Sequence, residues 1–261
     1  MKTFRFIGMA LFAVLMCVNL ASCGSSDDDP TEDPEEGGVV VSSKKLAKIV
    51  GTSEFETLTL TFNYDNKGRL IEAIETEKED NEEDVVNYLF TWGDDAIKVS
   101  EKKSWSNNTN VYTLSLTNGL VRESSEGETY IYNQSNRLIK LSNKYWTTSA
   151  IWDNDKLVSI SDSDGDATLT YEKSCKKGYS PFTGIMTFRE YNCEPLYMVH
   201  PEIVGLLTTQ LPASLTWHGE WGDTTTFAYE FDKEGYISKI IAKEIDNNGS
   251  TDTYTYTLTW L

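Results

Sequence analysis

Histidine is scarce in this chain, which limits the chemistry that the chain can carry. The 261 residues include only two histidines, His200 and His218, and neither has a second histidine or a cysteine at the spacing of metal ligands. The sequence also lacks an HExxH pair, a glycine-rich phosphate loop and a nucleophile elbow. We therefore predict structural histidines, no catalytic residues and a protein that is not an enzyme.

Positive charge is also in short supply. Lysine and arginine together number 23 against 41 aspartates and glutamates, so the formal net charge is −18 at pH 7. A chain this acidic repels phosphate backbones. This balance excludes nucleic acid as an expected partner and favours cationic partners or divalent ions.

Long apolar runs are missing apart from one near the N-terminus. The run from Phe6 to Val18 follows a basic start, and as a helix it covers only about 20 Å of a hydrocarbon core of about 30 Å. Such a segment is typical of a secretory signal. It leads into a Leu-Ala-Ser-Cys sequence that ends at Cys23 and resembles the lipobox of bacterial lipoproteins. We therefore expect a signal peptide over residues 1–22 and a membrane anchor on an acylated Cys23.

The segment that follows Cys23 is acidic and contains two prolines, Pro30 and Pro34. This composition cannot bury enough apolar surface to fold, so we expect residues 23–43 to form a disordered tether. Its Ser-Asp-Asp-Asp sequence resembles the surface-export signal of Bacteroidetes lipoproteins. The resemblance implies an outer-membrane protein that faces outside, with the periplasmic face as the alternative.

Cysteine is rare in the remaining chain, where Cys175 and Cys193 are the two representatives. Exported proteins reside in oxidising compartments, which favours a disulfide between these residues. Closing a loop of this size would stabilise the fold by roughly 3 kcal/mol. Two separate thiols are the alternative.

Proline is missing from residues 44–172 and 213–261, and alternating segments occupy both ranges. Residues 56–64 place Leu58, Leu60 and Phe62 on one face and threonines on the other, which is typical of a half-buried strand. The same alternation recurs in residues 86–92, 112–116, 227–231 and 254–260.

A repeated unit joins these segments. Residues 64–71 combine an aromatic strand end, an Asp-x-x-Gly turn and the next strand, and degraded copies occupy residues 132–139 and 231–237. Asp65 is expected to bind the backbone two residues later, while Gly68 supplies the positive φ that closes the hairpin. We predict an all-β, antiparallel up-and-down meander of about 14 to 16 strands, which forms a closed or partly open barrel over residues 44–261.

The alternation stops at residues 173–212, which contain four prolines and many apolar residues. We interpret this segment as an insertion that packs across the sheet or plugs the lumen of a barrel. A short helix is expected over residues 202–207.

These features together resemble a known family. The lipobox, the acidic tether, the Tyr-Asp-x-x-Gly-Arg-Leu-Ile units, the Ser-Pro-Phe-Thr-Gly sequence at 180–184 and the Leu-Pro-Ala-Ser-Leu sequence at 211–215 look like a family of Bacteroidetes lipoproteins of unknown function with a porin-like fold. The units also resemble the tyrosine-aspartate repeats of bacterial surface and toxin shells. The resemblance implies a barrel-like meander and no activity.

Two groups of residues are candidates for binding. Asp162, Asp164 and Asp166 surround Gly165 as in the start of many calcium loops, although an acidic hairpin turn is the simpler interpretation. Calcium is the one cofactor that the sequence suggests. In a meander the longer connections share one rim, and aromatic rings beside amides there can stack on sugars or bind proteins. Rings that fold back to cover the end of the barrel are the simpler interpretation. The rim candidates are Trp105, Tyr145, Trp146 and Asn107.

The leading hypothesis is therefore a surface-exposed lipoprotein that acts as a non-catalytic binding module for a glycan or a protein. A structural or assembly protein of the cell envelope is the alternative. A glycan hydrolase is the third hypothesis, and it requires two carboxylates that face each other across a cleft.

Overall fold

Alternating apolar and polar side chains form the strands of a barrel. The computed structural model describes residues 44–79, 82–163, 165–181, 194–218 and 222–261. The predicted signal peptide, Cys23, the tether, Asp164 and Cys193 lie outside this range. The strands are β1 (Leu46–Thr52), β2 (Glu56–Tyr64), β3 (Leu70–Glu79), β4 (Glu82–Trp92), β5 (Ala96–Lys103), β6 (Thr109–Thr117), β7 (Leu120–Ser124), β8 (Thr129–Tyr132), β9 (Leu138–Ser142), β10 (Thr147–Asp153), β11 (Lys156–Asp162), β12 (Gly165–Ser174), β13 (Gln210–His218), β14 (Thr224–Phe231), β15 (Ile237–Ile245) and β16 (Thr251–Trp260).

Each strand pairs antiparallel with its neighbours in sequence, and β1 also pairs with β16. The barrel is therefore closed, with Ile49 opposite Leu258 across the seam. The all-β meander is confirmed, and its sixteen strands lie within the predicted range. Closure removes the exposed strand edges that an open meander would present.

The apolar face of the strands points into the barrel. In β2, Leu60 and Phe62 are buried, whereas Thr59 and Thr61, which alternate with them, lie on the outer wall. Exposed apolar side chains on the outside are scattered over different strands, as Leu89, Val111 and Ile151 illustrate. No helix of the described residues is long and apolar enough to cross a membrane.

The predicted turn chemistry is confirmed. The Asp65 carboxylate accepts hydrogen bonds from the backbone N–H groups of Lys67 and Arg69, both at 2.9 Å, and Gly68 has φ +84°. Asn133, Asp232 and Asp246 make the same pair of bonds. Asp246 lies at the opposite end of the barrel from the other three, in the longer connection between β15 and β16.

Aromatic residues at the strand ends also bind the backbone. Trp92 Nε1 donates to the carbonyl of Leu70 at 2.7 Å, and the hydroxyl of Tyr64 donates to the carbonyl of Leu46 at 2.6 Å. Each acceptor lies at or near the start of the preceding strand. The same contact is made by Tyr132, Trp152, Tyr171, Tyr229 and Trp260. We call these seven residues the aromatic latches; each ring packs against the core while its polar tip satisfies a carbonyl group.

The two ends of the barrel differ. We call the end that carries the connections 65–69, 93–95, 118–119, 133–137, 154–155 and 232–236 the turn rim, and the end that carries 53–55, 104–108, 125–128, 143–146 and 246–250 the loop rim. The insertion joins β12 to β13 and therefore belongs to the turn rim. Strand pairing continues to Ser174 and resumes at Gln210, so the insertion is shorter than the predicted range 173–212.

The described part of the insertion fills the mouth at the turn rim. A short helix, α1 (Glu194–Val199), is followed by a 3₁₀ helix (Pro201–Val204). The prediction of a helix over 202–207 is therefore wrong, because Gly205 takes a left-handed conformation that ends the 3₁₀ helix after one turn. Leu196 and Met198 of α1 are completely buried, and the hydroxyls of Tyr197 and Tyr130 lie 2.8 Å apart.

Several turns of the barrel hold the insertion in place. His200 Nε2 accepts the N–H of Leu70 at 3.2 Å, and its ring packs against Trp92 at 5.4 Å. Thr208 donates to the carbonyl of Asp155 at 2.7 Å, and the Arg137 guanidinium donates to the carbonyl of Leu207. The sequence predicted that the insertion either packs across the sheet or plugs the lumen. The described part of the insertion plugs the barrel.

The contact between Gly205 and the turn 133–137 gives a test of the plug. A Cβ at Gly205 would lie 2.3 Å from the carbonyl oxygen of Asn136, whereas a Cβ at Gly119 would meet nothing within 4 Å. Both glycines have positive φ, +67° and +77°, so Gly119→Ala is a matched control for backbone strain.

We expect Gly205→Ala to lower the free energy of unfolding by about 1–3 kcal/mol more than Gly119→Ala, because the added methyl group overpacks the contact. Denaturant titration of both variants measures the difference. Equal losses would mean that the plug does not press on this turn.

Candidate functional site

The loop rim carries most of the rim residues that the sequence singled out. Trp105 is 58% exposed and Tyr145 is 80% exposed, and Asn107 is exposed beside Trp105. They belong to the β5–β6 and β9–β10 connections, which lie on one rim as predicted. Phe55, in the β1–β2 connection, is 56% exposed on the same rim. Phe55 was not among the predicted rim residues, because it falls in a connection of only three residues.

Trp146 behaves differently from its neighbour Tyr145. The Asn143 side chain accepts the N–H groups of both residues, at 2.8 Å for Tyr145 and 3.1 Å for Trp146. This turn directs the Tyr145 ring outward and leaves Trp146 half-buried against the core. The exposed aromatic set of the loop rim is therefore Phe55, Trp105 and Tyr145.

A polar cavity of about 330 Å³ lies next to Trp105 at this rim. The Lys103 ammonium lies 3.1 Å from the Glu101 carboxylate and 6.0 Å from the centre of the Trp105 ring. Asn110 donates to Glu126 at 3.1 Å. The lining consists of Glu101, Lys103, Ser106, Asn108, Thr109 and Asn110. Amides, hydroxyls and a carboxylate beside an exposed indole can hydrogen-bond and stack on a sugar ring.

A row of acids continues the inner face of β3 toward the loop rim. Ala73 is fully buried, and Glu75 and Glu77 follow at alternate positions, so all three share the inner face. Glu77 lies opposite Leu58 on β2 and Asp84 on β4. Together with the inward acids of β2, β4 and β5, and with Asp252 on β16 beyond β1, they form what we call the acidic arc, which comprises Glu56, Glu75, Glu77, Asp84, Glu101 and Asp252.

The surroundings of Glu56, Glu75 and Glu77 favour protonated carboxyl groups, because they raise the pKa of each. Burial, reinforced by Glu56, Glu75 and other nearby acids, raises the pKa of Glu77 to about 8. Burial and Glu101 raise the pKa of Glu75 to about 7, against the opposing effect of Lys103. Burial also raises the pKa of Glu56. Glu75 and Glu77 therefore exchange protons near neutral pH.

The acidic arc was not foreseen from the sequence, although a signal for it exists. Residues 75–79 read Glu-Thr-Glu-Lys-Glu, which alternates in phase with the buried Ala73. The period predicts that the three glutamates share a face. Only the structure identifies that face as the inner one, since acids are usually expected on the solvent side.

The structure separates the two described aspartates of the proposed calcium loop. Asp162 shares the inner face with Ile160, whereas Asp166 is exposed on the outer face opposite Ser161. Asp164 lies outside the described residues, so calcium binding stays a prediction. Among the residues that the structure describes, no three His, Cys, Asp or Glu side chains are grouped to hold a metal ion.

The cysteine prediction also stays untested, because Cys193 is outside the described residues. Cys175 is partly buried at the start of the insertion, where its N–H donates to the carbonyl of Thr209 at 2.7 Å. The two histidines occupy structural positions. His200 holds the plug, and His218 lies 3.0 Å from the hydroxyl of Thr168 on the outer wall.

The raised pKa of Glu77 predicts how stability depends on pH. A glutamate in the unfolded chain titrates near 4.3, whereas Glu77 titrates near 8 in the folded protein. Folding therefore takes up a proton between these values, so this contribution to stability is full below about pH 4.5 and is lost as pH rises through about 8.

We expect Glu77→Gln, which cannot ionise, to lose less stability than the unmodified protein between pH 5 and pH 9. Glu83→Gln is the matched control, since Glu83 faces outward on the same hairpin and contacts Lys78 at 2.7 Å. Thermal unfolding at several pH values measures the slopes. A Glu77→Gln slope equal to that of the unmodified protein would contradict the assignment.

Comparison with known proteins places the fold. No protein-family model matches this sequence, and no curated protein matches it. A porin-like protein from Bacteroides uniformis matches the structure with a TM-score of 0.60 and 18% sequence identity, over 84% of this chain and 96% of that chain. A porin-like protein from Bacteroides vulgatus matches with a TM-score of 0.57 and 13% identity, over 83% of this chain and 98% of that chain. At these identities, the likeness is one of fold, and this chain has the fold of porin-like proteins of Bacteroides.

Proposed function

We propose that this chain is a non-catalytic binding module, held to the outer face of the outer membrane by a lipid on Cys23, and that its loop rim binds a carbohydrate chain. The observation that carries the proposal is the difference between the two ends of the barrel. The insertion fills the mouth at the turn rim, while the loop rim presents Phe55, Trp105 and Tyr145 to solvent.

The chemistry of the loop rim supports a carbohydrate ligand. The exposed ring of Trp105 offers a flat apolar surface to the faces of a sugar ring. The adjoining cavity of about 330 Å³ offers the amides of Asn108 and Asn110 and the hydroxyl of Ser106 to sugar hydroxyl groups. The rings belong to different hairpins around the rim, so an extended chain of sugars suits them better than a single sugar.

The polarity of the wall supports a lipid anchor on a barrel outside the bilayer. Barrels that span a membrane carry an apolar band outside and a polar lumen inside. Here the arrangement is reversed, with residues such as Leu60 inside and Thr59 and Thr61 outside. The likeness to the porin-like proteins therefore supports a shared fold and does not support a membrane-spanning pore.

The other hypotheses receive less support. An assembly protein that binds through the insertion needs exposed apolar residues there, but Leu196, Met198 and Leu206 are buried. A glycan hydrolase needs two carboxylates on opposite sides of a cleft, whereas the acids of the arc line one inner wall, on β2 to β5 and on β16.

A glycan array probed with the purified protein tests the proposal. We expect binding to one class of glycan and at least a tenfold loss of affinity for the double variant Trp105→Ala, Tyr145→Ala, since each ring contributes roughly 1 kcal/mol. Ile151→Ala is the matched control, because Ile151 is 62% exposed on the outer wall.

Undiminished binding by the double variant would overturn the assignment to the loop rim. Binding to proteins alone would replace carbohydrate by a protein ligand, and release of shortened glycans would favour the hydrolase. For the location, labelling of intact cells with a membrane-impermeant reagent should reach the protein. Labelling only after lysis would contradict surface exposure.

A further inference from the structure

The acidic arc is a second site at the loop rim, which shares Glu101 with the lining of the polar cavity but contains none of the exposed rings. We propose that it binds a linear organic polycation, that is, a flexible chain that carries several ammonium groups. The proposal goes beyond carbohydrate binding and does not depend on it.

The first argument for a cationic ligand is the placement of charged side chains on the strands. Glu75 and Glu77 point inward from β3, while Lys78 of the same strand points outward and contacts Glu83 at 2.7 Å. Lys103 also points inward, but Glu101 already binds it at 3.1 Å. The inner wall therefore carries several acids, whereas Lys78 points outward and Lys103 is already paired with Glu101. This leaves an excess of negative charge at the mouth of the loop rim.

The second argument is that two buried carboxyl oxygens have no hydrogen-bond partner among the described residues. Asp252 is only 6% exposed, and its Oδ1 has no partner among the described residues. It faces inward from β16, opposite Glu244. Oε1 of Glu77 is likewise buried without a partner in the described part of the chain. Because a buried carboxylate oxygen without a donor is costly, a ligand with N–H donors would stabilise both groups.

The spacing of the acids favours an organic cation over a metal ion. Alternate residues of a strand lie about 7 Å apart and neighbouring strands about 5 Å apart. A single metal ion needs oxygen ligands at about 2.0–2.6 Å, and the described residues include no group of three side chains placed to hold one. Ammonium groups separated by short methylene chains can instead pair with successive carboxylates along the arc.

Titration of the arc links binding to pH. Glu77 faces Glu56 on β2, Asp84 on β4 and its neighbours on β3, Glu75 and Glu79. Glu75 faces Glu101 and Lys103 on β5. A cation favours the ionised forms, so binding near pH 7 releases protons and becomes tighter as pH rises toward 8.5.

Calorimetric titration of the purified full chain with spermidine tests the proposal. We expect saturable binding at low salt, with an affinity on the order of tenfold higher at pH 8.5 than at pH 6. Titration in two buffers of different ionisation enthalpy should show proton release near pH 7. The double variant Glu77→Gln, Asp252→Asn should weaken binding at least tenfold, and Glu83→Gln should not change it.

The controls separate this site from the loop rim. Trp105→Ala, Tyr145→Ala should bind spermidine as the unmodified protein does, whatever its effect on glycans. If the double variant of the arc does not fold, proton release by the unmodified protein still decides the question. Absence of saturable binding at pH 8.5, or equal affinity at pH 6 and pH 8.5, would overturn the proposal.

Discussion

A closed barrel of sixteen strands encloses more space than its own inward side chains fill, and the rest of the structure depends on how that space is occupied. The insertion between β12 and β13 supplies the missing apolar volume at the turn rim through residues such as Leu196 and Met198. Toward the loop rim the inward side chains of β3 change from apolar, at Ala73, to acidic, at Glu75 and Glu77. One mouth is therefore packed and apolar, and the other is polar and acidic.

The repeated sequence unit serves the packed end. Its aspartate closes the turn, and its terminal aromatic residue donates to a carbonyl at or near the start of the preceding strand, as Tyr64 and Trp92 do. The aromatic latches surround the mouth that the insertion fills, and His200 of the insertion packs directly on Trp92. The repeat and the insertion together close the turn rim, and the proposed binding site therefore lies at the loop rim.

The sequence allowed the strands, the turns and the meander to be predicted, because period-2 alternation and turn chemistry are local, but it left open whether the barrel closes. The order of the connections also placed Trp105 and Tyr145 on one rim, but whether their rings are exposed or fold back over the barrel end was decided only by the structure. Alternation does not say which face is the inner one, so Glu75 and Glu77 were missed. The position of α1 and the burial of Trp146 depend on contacts between distant segments, which no local pattern reports.

The central claim, that the barrel is packed at one mouth and acidic and accessible at the other, can be measured by thiol labelling. In a chain whose native cysteines are replaced by serine, Ala73→Cys and Glu77→Cys place thiols on the same face of β3, two alternate positions apart. The account predicts that only Glu77→Cys reacts readily, and that a cationic methanethiosulfonate reacts faster than an anionic one. Equal reactivity at both positions, or faster reaction with the anionic reagent, would contradict it.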